Sequence, residues 1–379
     1  MIKLPSISQE RWEKLDAARQ ERQKTEQYAK AKDLLNQGNY GQAIPALEAL
    51  DGYQDSAALL EKAQLLAPAA ELENSGRIAE AAMAYYRLGE REKSLALWDK
   101  VAVRDSIGAG GNHTLALKEN GTVVAAGWND FGQCDVSNWK NVIDVKAGMV
   151  HSVGLKRDGT VVAVGENCNG ECNVGDWTDI VAISADDHYT LGLRADGTVV
   201  ATGVNLEGRC DVGEWTDIVA IRAGGVSVGL KEDGTVVTVG MNSEKQQNLN
   251  NWTNLIAVCV GRSHLVGLKS DGTVIASMLP DTEWDVHGQC DVSSWKNIVA
   301  IRAGVGHTVG LKADGTVVAT GWNYDGQCDV SDWTDIVSIS AEGFHTVGLK
   351  ADGTVIAVGE NYGGQCDVSD WNNIKLPVR

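Results

Sequence analysis

The chain has 379 residues, more than one ordinary domain needs, and combines 43 Gly with only 5 Pro at 43% hydrophobic content, which excludes a collagen and a disordered chain. Its formal net charge of -18 opposes binding to phosphate backbones and anionic lipid. No run of eighteen apolar residues and no signal-type hydrophobic core occurs, so the sequence predicts neither membrane insertion nor export, and a cytoplasmic location.

Residues 1–105 carry 15 basic and 17 acidic residues, five Gly and no Cys, whereas residues 106–379 carry 18 basic, 34 acidic, 38 Gly and all eight Cys. The domain boundary is therefore placed near Asp105. In the first part the apolar positions follow a helical period, with Tyr28, Ala31, Leu34 and Leu35 on one stripe and Ala43, Leu47 and Leu50 on the next. Gly38-Asn39-Tyr40 before Ala43 and Gly76-Arg77-Ile78 before Ala81 repeat at an offset of 38 residues, aligning Leu50 with Leu88 and Ser56 with Ser94. This G-x-Y-x-x-A pattern resembles divergent tetratricopeptide-like helix pairs. Two copies are too few for a solenoid, so a helix over 7–27 or docking on the second domain is expected to complete them. The segment reads as a helical spacer or cap, with a peptide-binding groove as the alternative.

From residue 106 the chain repeats a unit of the form I-x-A-G-x-x-H-T-V-G-L-K-x-D-G-T-V-V-A-x-G-x-N-x-x-G-Q-C-D-V-x-x-W-x-x-I. Its turn glycine recurs at Gly121, Gly159, Gly197, Gly234, Gly272, Gly315 and Gly353, and its tryptophan at Trp139, Trp177, Trp215, Trp252, Trp295, Trp333 and Trp371. Both series count seven units. Short β-branched segments such as His307–Lys312 and Thr316–Thr320 flank an Asp-Gly hairpin signal. With Ile298–Arg302 and Cys328–Val330 they make four expected strands per unit. Such units bury their faces by stacking around an axis, so residues 106–379 are expected to form a seven-bladed β-propeller. Ser106–Gly110 is left over at the start, and no I-x-A-G strand follows Ile374. The two ends of the domain are therefore expected to meet and close the ring.

The G-x-H-T-V-G-L, D-G-T-V-V-A-x-G and N-x-x-G-Q-C-D-V signatures resemble the repeats of the regulator of chromosome condensation family, in the compact form of its bacterial members. The propeller-type β-lactamase inhibitors are a second resemblance. WD repeats match less well, because the tryptophan is followed by Thr, Lys or Asn.

No phosphate cradle, metalloprotease or hydrolase motif is present, and no enzyme activity or cofactor is expected. The histidines at one blade position, His113, His151, His264, His307 and His345, would be spread around a ring and suit structural hydrogen bonding rather than catalysis or metal binding. Cys134, Cys172, Cys210, Cys290, Cys328 and Cys366 share another position and read as small buried hydrophobes. Cys168 and Cys172 would admit a local disulfide or half of a metal site, but no second ligand pair accompanies them. The recurring aspartates, such as Asp158 and Asp314, suit a turn rather than a calcium loop.

Comparison among the seven copies singles out one face. The second loop of each unit is nearly invariant as K-x-D-G, whereas the first and third loops, which leave on the opposite face, differ in every unit. These variable loops hold Trp128, Asp130, Phe131, Trp322, Tyr324, Asp325, Phe344 and Tyr362. An enlarged fifth copy adds Glu283, Trp284 and Asp285. Aromatic residues among acids on a rigid scaffold have the composition of a protein-binding hot spot. The reading is a non-enzymatic interaction scaffold whose partner is a protein of basic character, with no nucleic acid or membrane partner. The resemblance to the inhibitors implies an alternative in which this face blocks an enzyme, and the family resemblance implies a second, guanine nucleotide exchange on a small GTPase. With the second part carrying almost all the negative charge, duplex DNA is expected to bind no tighter than about micromolar at about 150 mM salt; submicromolar binding in an anisotropy titration would overturn this.

Overall fold

The computed structural model describes residues 8–240, 252–279 and 287–377. They divide into two compact units, Met1–Leu97 and Trp98–Arg379.

The first unit is helical. Its elements are α1 (Gln9–Asn36), α2 (Tyr40–Glu48), α3 (Ser56–Asn74), α4 (Ile78–Arg87) and α5 (Arg91–Val101), the last turn of which counts with the second unit. One helix, α1, covers both the expected N-terminal helix and the Tyr28–Leu35 stripe. Ala31 and Leu35 are buried from it, and Ala43, Leu47 and Leu50 from α2 and its exit. Both G-x-Y-like segments start a helix, because Gly38 and Gly76 adopt φ of +73° and +84°, the left-handed geometry that ends the preceding helix. The aligned Ser56 and Ser94 are both fully buried. Tyr28 and Tyr53 stack edge to face at 6.2 Å, and the Tyr53 hydroxyl donates to Glu21 at 2.8 Å, holding α1 to the turn between α2 and α3.

The second unit contains seven antiparallel sheets of three strands each. The innermost strands are Ile107–Ala109, Val142–Ala147, Ile180–Asp186, Ile218–Arg222, Leu255–Val260, Ile298–Ala303 and Ile336–Glu342. Each touches the next around the ring, and the last touches the first. The ring is closed. The chain ends fasten it: Ile374 bridges Lys118, and the Lys375 amide donates to the Leu117 carbonyl at 2.8 Å. In the sixth and seventh blades, Ile298 pairs with Lys312 and Ile336 with Lys350, so Ile374 supplies to the first blade the residue that its own short inner strand lacks.

Among the described residues the expected fourth strand does not form. In Cys328–Val330 the Cys328 amide donates to the Asn323 side chain, and the Val330 and Trp333 amides donate to Cys328 and Val330 carbonyls. Local turns consume the groups a ladder would need.

The blades interlock through the tryptophan of one unit and the glycine of the next middle strand. A Cβ at Gly310 would stand 2.7 Å from Trp295, and one at Gly348 2.6 Å from Trp333. The first blade carries Ala116 at this position, and its partner Trp371 is only half-buried. The residue before each inner strand of the second to seventh blades, and before the bridging Ile374, is Asn or Asp, from Asn141 to Asn373, with φ of +55° to +60°, which these two side chains tolerate best among non-glycines.

A belt of side-chain hydrogen bonds joins the blades. His113 Nε2 meets Ser152, His151 meets Thr190, His264 meets Thr308, His307 meets Thr346, and His345 meets Thr114 across the closure, all at 2.8–2.9 Å. Each hydroxyl donates to a backbone carbonyl, as Thr346 does to Gln327 at 2.8 Å. The imidazole Nε2–H therefore donates to the hydroxyl. In the third unit Tyr189 takes the histidine position and its hydroxyl meets Ser227 at 3.1 Å. These histidines are structural. Around the axis the small inner-strand side chains leave a cavity of about 60 Å³, room for little beyond water. Asp105, Lys146 and Arg302 form an ion-paired cluster within it.

Burial pulls the imidazoles down, to about 3 for His113 and His307 and about 4 for His151, His264 and His345. The unfolded chain then binds protons more readily, so this stability is complete above about pH 6.5 and is lost as pH falls toward 4, at about 1.4 kcal/mol per pH unit for each proton. Asp186 and Glu342 oppose it: burial raises both carboxyls, with added repulsion from Asp187 on Asp186 and from Asp186 on Glu342, taking Asp186 to about 6, so their contribution is lost as pH rises. Burial raises Asp144 and Glu360 as well, and with five histidines against four carboxyls the melting temperature is expected to fall from pH 6.5 to 4. A calorimetric series showing it constant or rising would refute the neutral belt.

Candidate protein-binding face

The variable third loops are held by side chains of their own repeat. In N-x-x-G-Q-C-D, the Asn129 carbonyl accepts from the Cys134 amide at 2.7 Å while its Nδ2 donates to Asp135 at 3.0 Å. The same pair of bonds recurs at Asn323 with Cys328 and Asp329, and at Asn361 with Cys366 and Asp367. From beneath, the fully buried Gln133, Gln327 and Gln365 accept the amides of Phe131, Asp325 and Gly363 at 2.9–3.1 Å. The thiols of Cys134, Cys328 and Cys366 reach the Trp128, Trp322 and Glu360 carbonyls at 3.3 Å.

These cysteines are half-buried hydrogen-bond donors rather than small buried hydrophobes. Burial pushes their thiols up to about 11 or 12, so the donor proton stays in place at neutral pH. None of the eight cysteines forms a disulfide, and Cys168 is exposed. The repeated Asp-Gly positions are turns: the Asp314 carboxylate accepts both the amide and the hydroxyl of Thr316, and these bonds hold its pKa below the usual range.

Several of the predicted residues come together on this face. Trp128 packs edge to face on Phe131 at 5.4 Å. Trp322 lies 5.8 Å from Tyr324 and 5.9 Å from Phe344 of the next blade. A Cβ at Gly363, beside Tyr362, would stand 3.2 Å from Trp128. The aromatic residues thus follow one arc over the sixth, seventh and first blades. Tyr324 and Tyr362 are 88% and 89% exposed and Phe131 45%, while Trp128, Trp322 and Phe344 are half-buried beneath them. Asp130 and Asp325 are exposed beside the rings. Burial and the charge of Asp325 raise the pKa of the neighbouring Glu360. Glu283, Trp284 and Asp285 lie outside the described residues.

Two features escaped the sequence reading. His287 stacks on Trp322 at 4.3 Å, and with Arg262, Val305, Gly306 and Phe344 these residues line a cleft of about 170 Å³. The Asn-to-Asp spacing within each N-x-x-G-Q-C-D signature was the available sign of the loop clamp, whereas nothing along the chain marks His287 as a neighbour of Trp322.

The fold is that of a seven-bladed β-propeller repeat protein preceded by helices. The family model for the regulator of chromosome condensation (RCC1) repeat matches residues 105–133 and 298–327, which lie in the first and sixth blades. The chain carries repeats of the regulator of chromosome condensation family. No curated protein sequence matches it significantly. Among solved structures it is similar to the ectodomain of the Physcomitrella patens receptor kinase CR4, at 19% identity and a TM-score of 0.54, covering 67% of this chain and 73% of that one. The CRINKLY WD40 ectodomain of the Arabidopsis thaliana receptor kinase ACR4 gives 17% and 0.56 over 73% of this chain and 99% of that one. Human WBSCR16 gives 17% and 0.51 over 65% and 87%. These likenesses support the propeller fold alone.

The two kinds of tryptophan are expected to differ in their stability cost. Trp333→Ala, which empties a site only 2% exposed, should cost about 3–5 kcal/mol, and Trp128→Ala or Trp322→Ala less. Equal losses in denaturant melts would assign the loop tryptophans to the core.

Proposed function

We propose that the protein is a non-enzymatic interaction scaffold that binds a protein partner through the aromatic arc over the sixth, seventh and first blades. The observation that supports this most directly is the pair of almost fully exposed tyrosines, Tyr324 and Tyr362, carried on loops already fixed by the Asn and Gln bonds. Leaving such rings in water has no folding benefit, and a preordered loop loses little entropy when a partner covers it. The half-buried Trp128, Trp322 and Phe344 give the rings an apolar base, the composition found at the centre of protein interfaces.

Asp130 and Asp325 at the margin, together with the net charge of -18, favour a basic partner and a salt-dependent association rate.

Tyr324→Ala, Tyr362→Ala or Trp322→Ala is expected to weaken the complex by roughly 1–4 kcal/mol each with the propeller still folded, and added salt should slow association more than it changes dissociation. Crosslinking of the partner complex provides the test. Crosslinks confined to the Lys-x-Asp-Gly turns or to the helical unit, with unchanged affinity in the aromatic variants, would refute the assignment.

A further inference from the structure

The same inter-blade position that stacks Trp322 on Phe344 holds different chemistry between the second and third blades. There Glu166 stands in the place of Trp322 and His188 in the place of Phe344, while the buried position of Gln133, Gln289, Gln327 and Gln365 is occupied by Glu171. The Glu171 side chain is fully buried, and a buried carboxylate without compensating charge is costly. Its hydrogen bonds come from the Asn169 amide at 3.0 Å and the Asn169 side chain at 2.8 Å. Burial pushes the Glu171 carboxyl up, and the Asn169 and backbone bonds more than offset this, leaving it below the usual range.

The third group faces it. His188 Nδ1 lies 3.3 Å from Glu166 Oε2 and 3.7 Å from Glu171 Oε1, yet the atom is buried and makes no hydrogen bond. One donor atom from each of Glu166, Glu171 and His188 fits within a span of 4.8 Å. Ligands about 2.0–2.2 Å from a tetrahedral ion stand about 3.3–3.6 Å apart, close to both measured separations. Two carboxylates and one imidazole form a borderline oxygen–nitrogen donor set suited to zinc and neighbouring divalent ions. Glu166 and His188 are partly exposed, so the cluster lies near the surface.

We infer that Glu166, Glu171 and His188 form a divalent transition-metal site of the zinc type on the variable face, tying the second blade to the third. The site does not depend on the proposed aromatic partner surface, since none of its residues belongs to that arc.

Isothermal titration of zinc chloride into the full chain, first stripped with a chelator, tests this. One ion per chain is expected, with a rise in melting temperature on metal addition. Glu171→Gln, which installs the residue that Gln133, Gln289, Gln327 and Gln365 supply in other blades, should fold normally and bind zinc at least about tenfold more weakly. His188→Asn should do the same. Cys168→Ser should leave the affinity unchanged, because the exposed thiol is not a ligand. Undiminished binding in both Glu171→Gln and His188→Asn, loss in Cys168→Ser, or no stoichiometric binding to the parent chain would each overturn the assignment.

Discussion

The structure depends on a hydrogen bond made between neighbouring blades. A histidine Nε2–H at the start of one middle strand donates to a hydroxyl of the next blade, and that hydroxyl donates onward to a backbone carbonyl. His345 with Thr114 carries the bond across the chain ends, where the bridge from Ile374 to Lys118 completes the first blade. Each three-stranded sheet is too small to bury its own faces. Stability therefore resides in the contacts between blades, and the belt sets their spacing with polar groups that the interior would otherwise penalise.

The carbonyl that each hydroxyl reaches belongs to the buried residue of the G-Q-C segment, as at Gln327 and Thr346. That residue's side chain holds the loop above it, so the belt and the variable face are coupled through one amino acid. A rigid frame of this kind lets the exposed positions change without cost to the fold. It explains how aromatic rings, acids and a histidine occupy equivalent positions around one ring. The aromatic arc and the acid–histidine cluster are two outcomes of the same seam, one apolar and one ionic.

Much of this was legible along the chain. The count of seven, the Asp-Gly turns, the meeting of the two ends and the separation into an invariant and a variable face follow from periodicity. The fourth strand was misread because Cys328–Val330 has strand-like composition, while its amides are taken by Asn323 and by adjacent carbonyls. The cysteines were misread for a related reason: a small residue at an invariant position looks like packing, and only the 3.3 Å approach to a loop carbonyl shows a donor.

The sequence determined which residues recur and which vary, since turn chemistry and hydrophobic period act over a few neighbouring positions and are repeated seven times. Tertiary structure decided which varying residues meet. Trp322 reaches Phe344, and Glu166 reaches His188, because the third loop of one blade leans on the first loop of the next, while His287 reaches Trp322 from the third loop of the preceding blade. Those pairings cross a seam whose geometry is fixed by ring closure, and no local pattern encodes the distance across it.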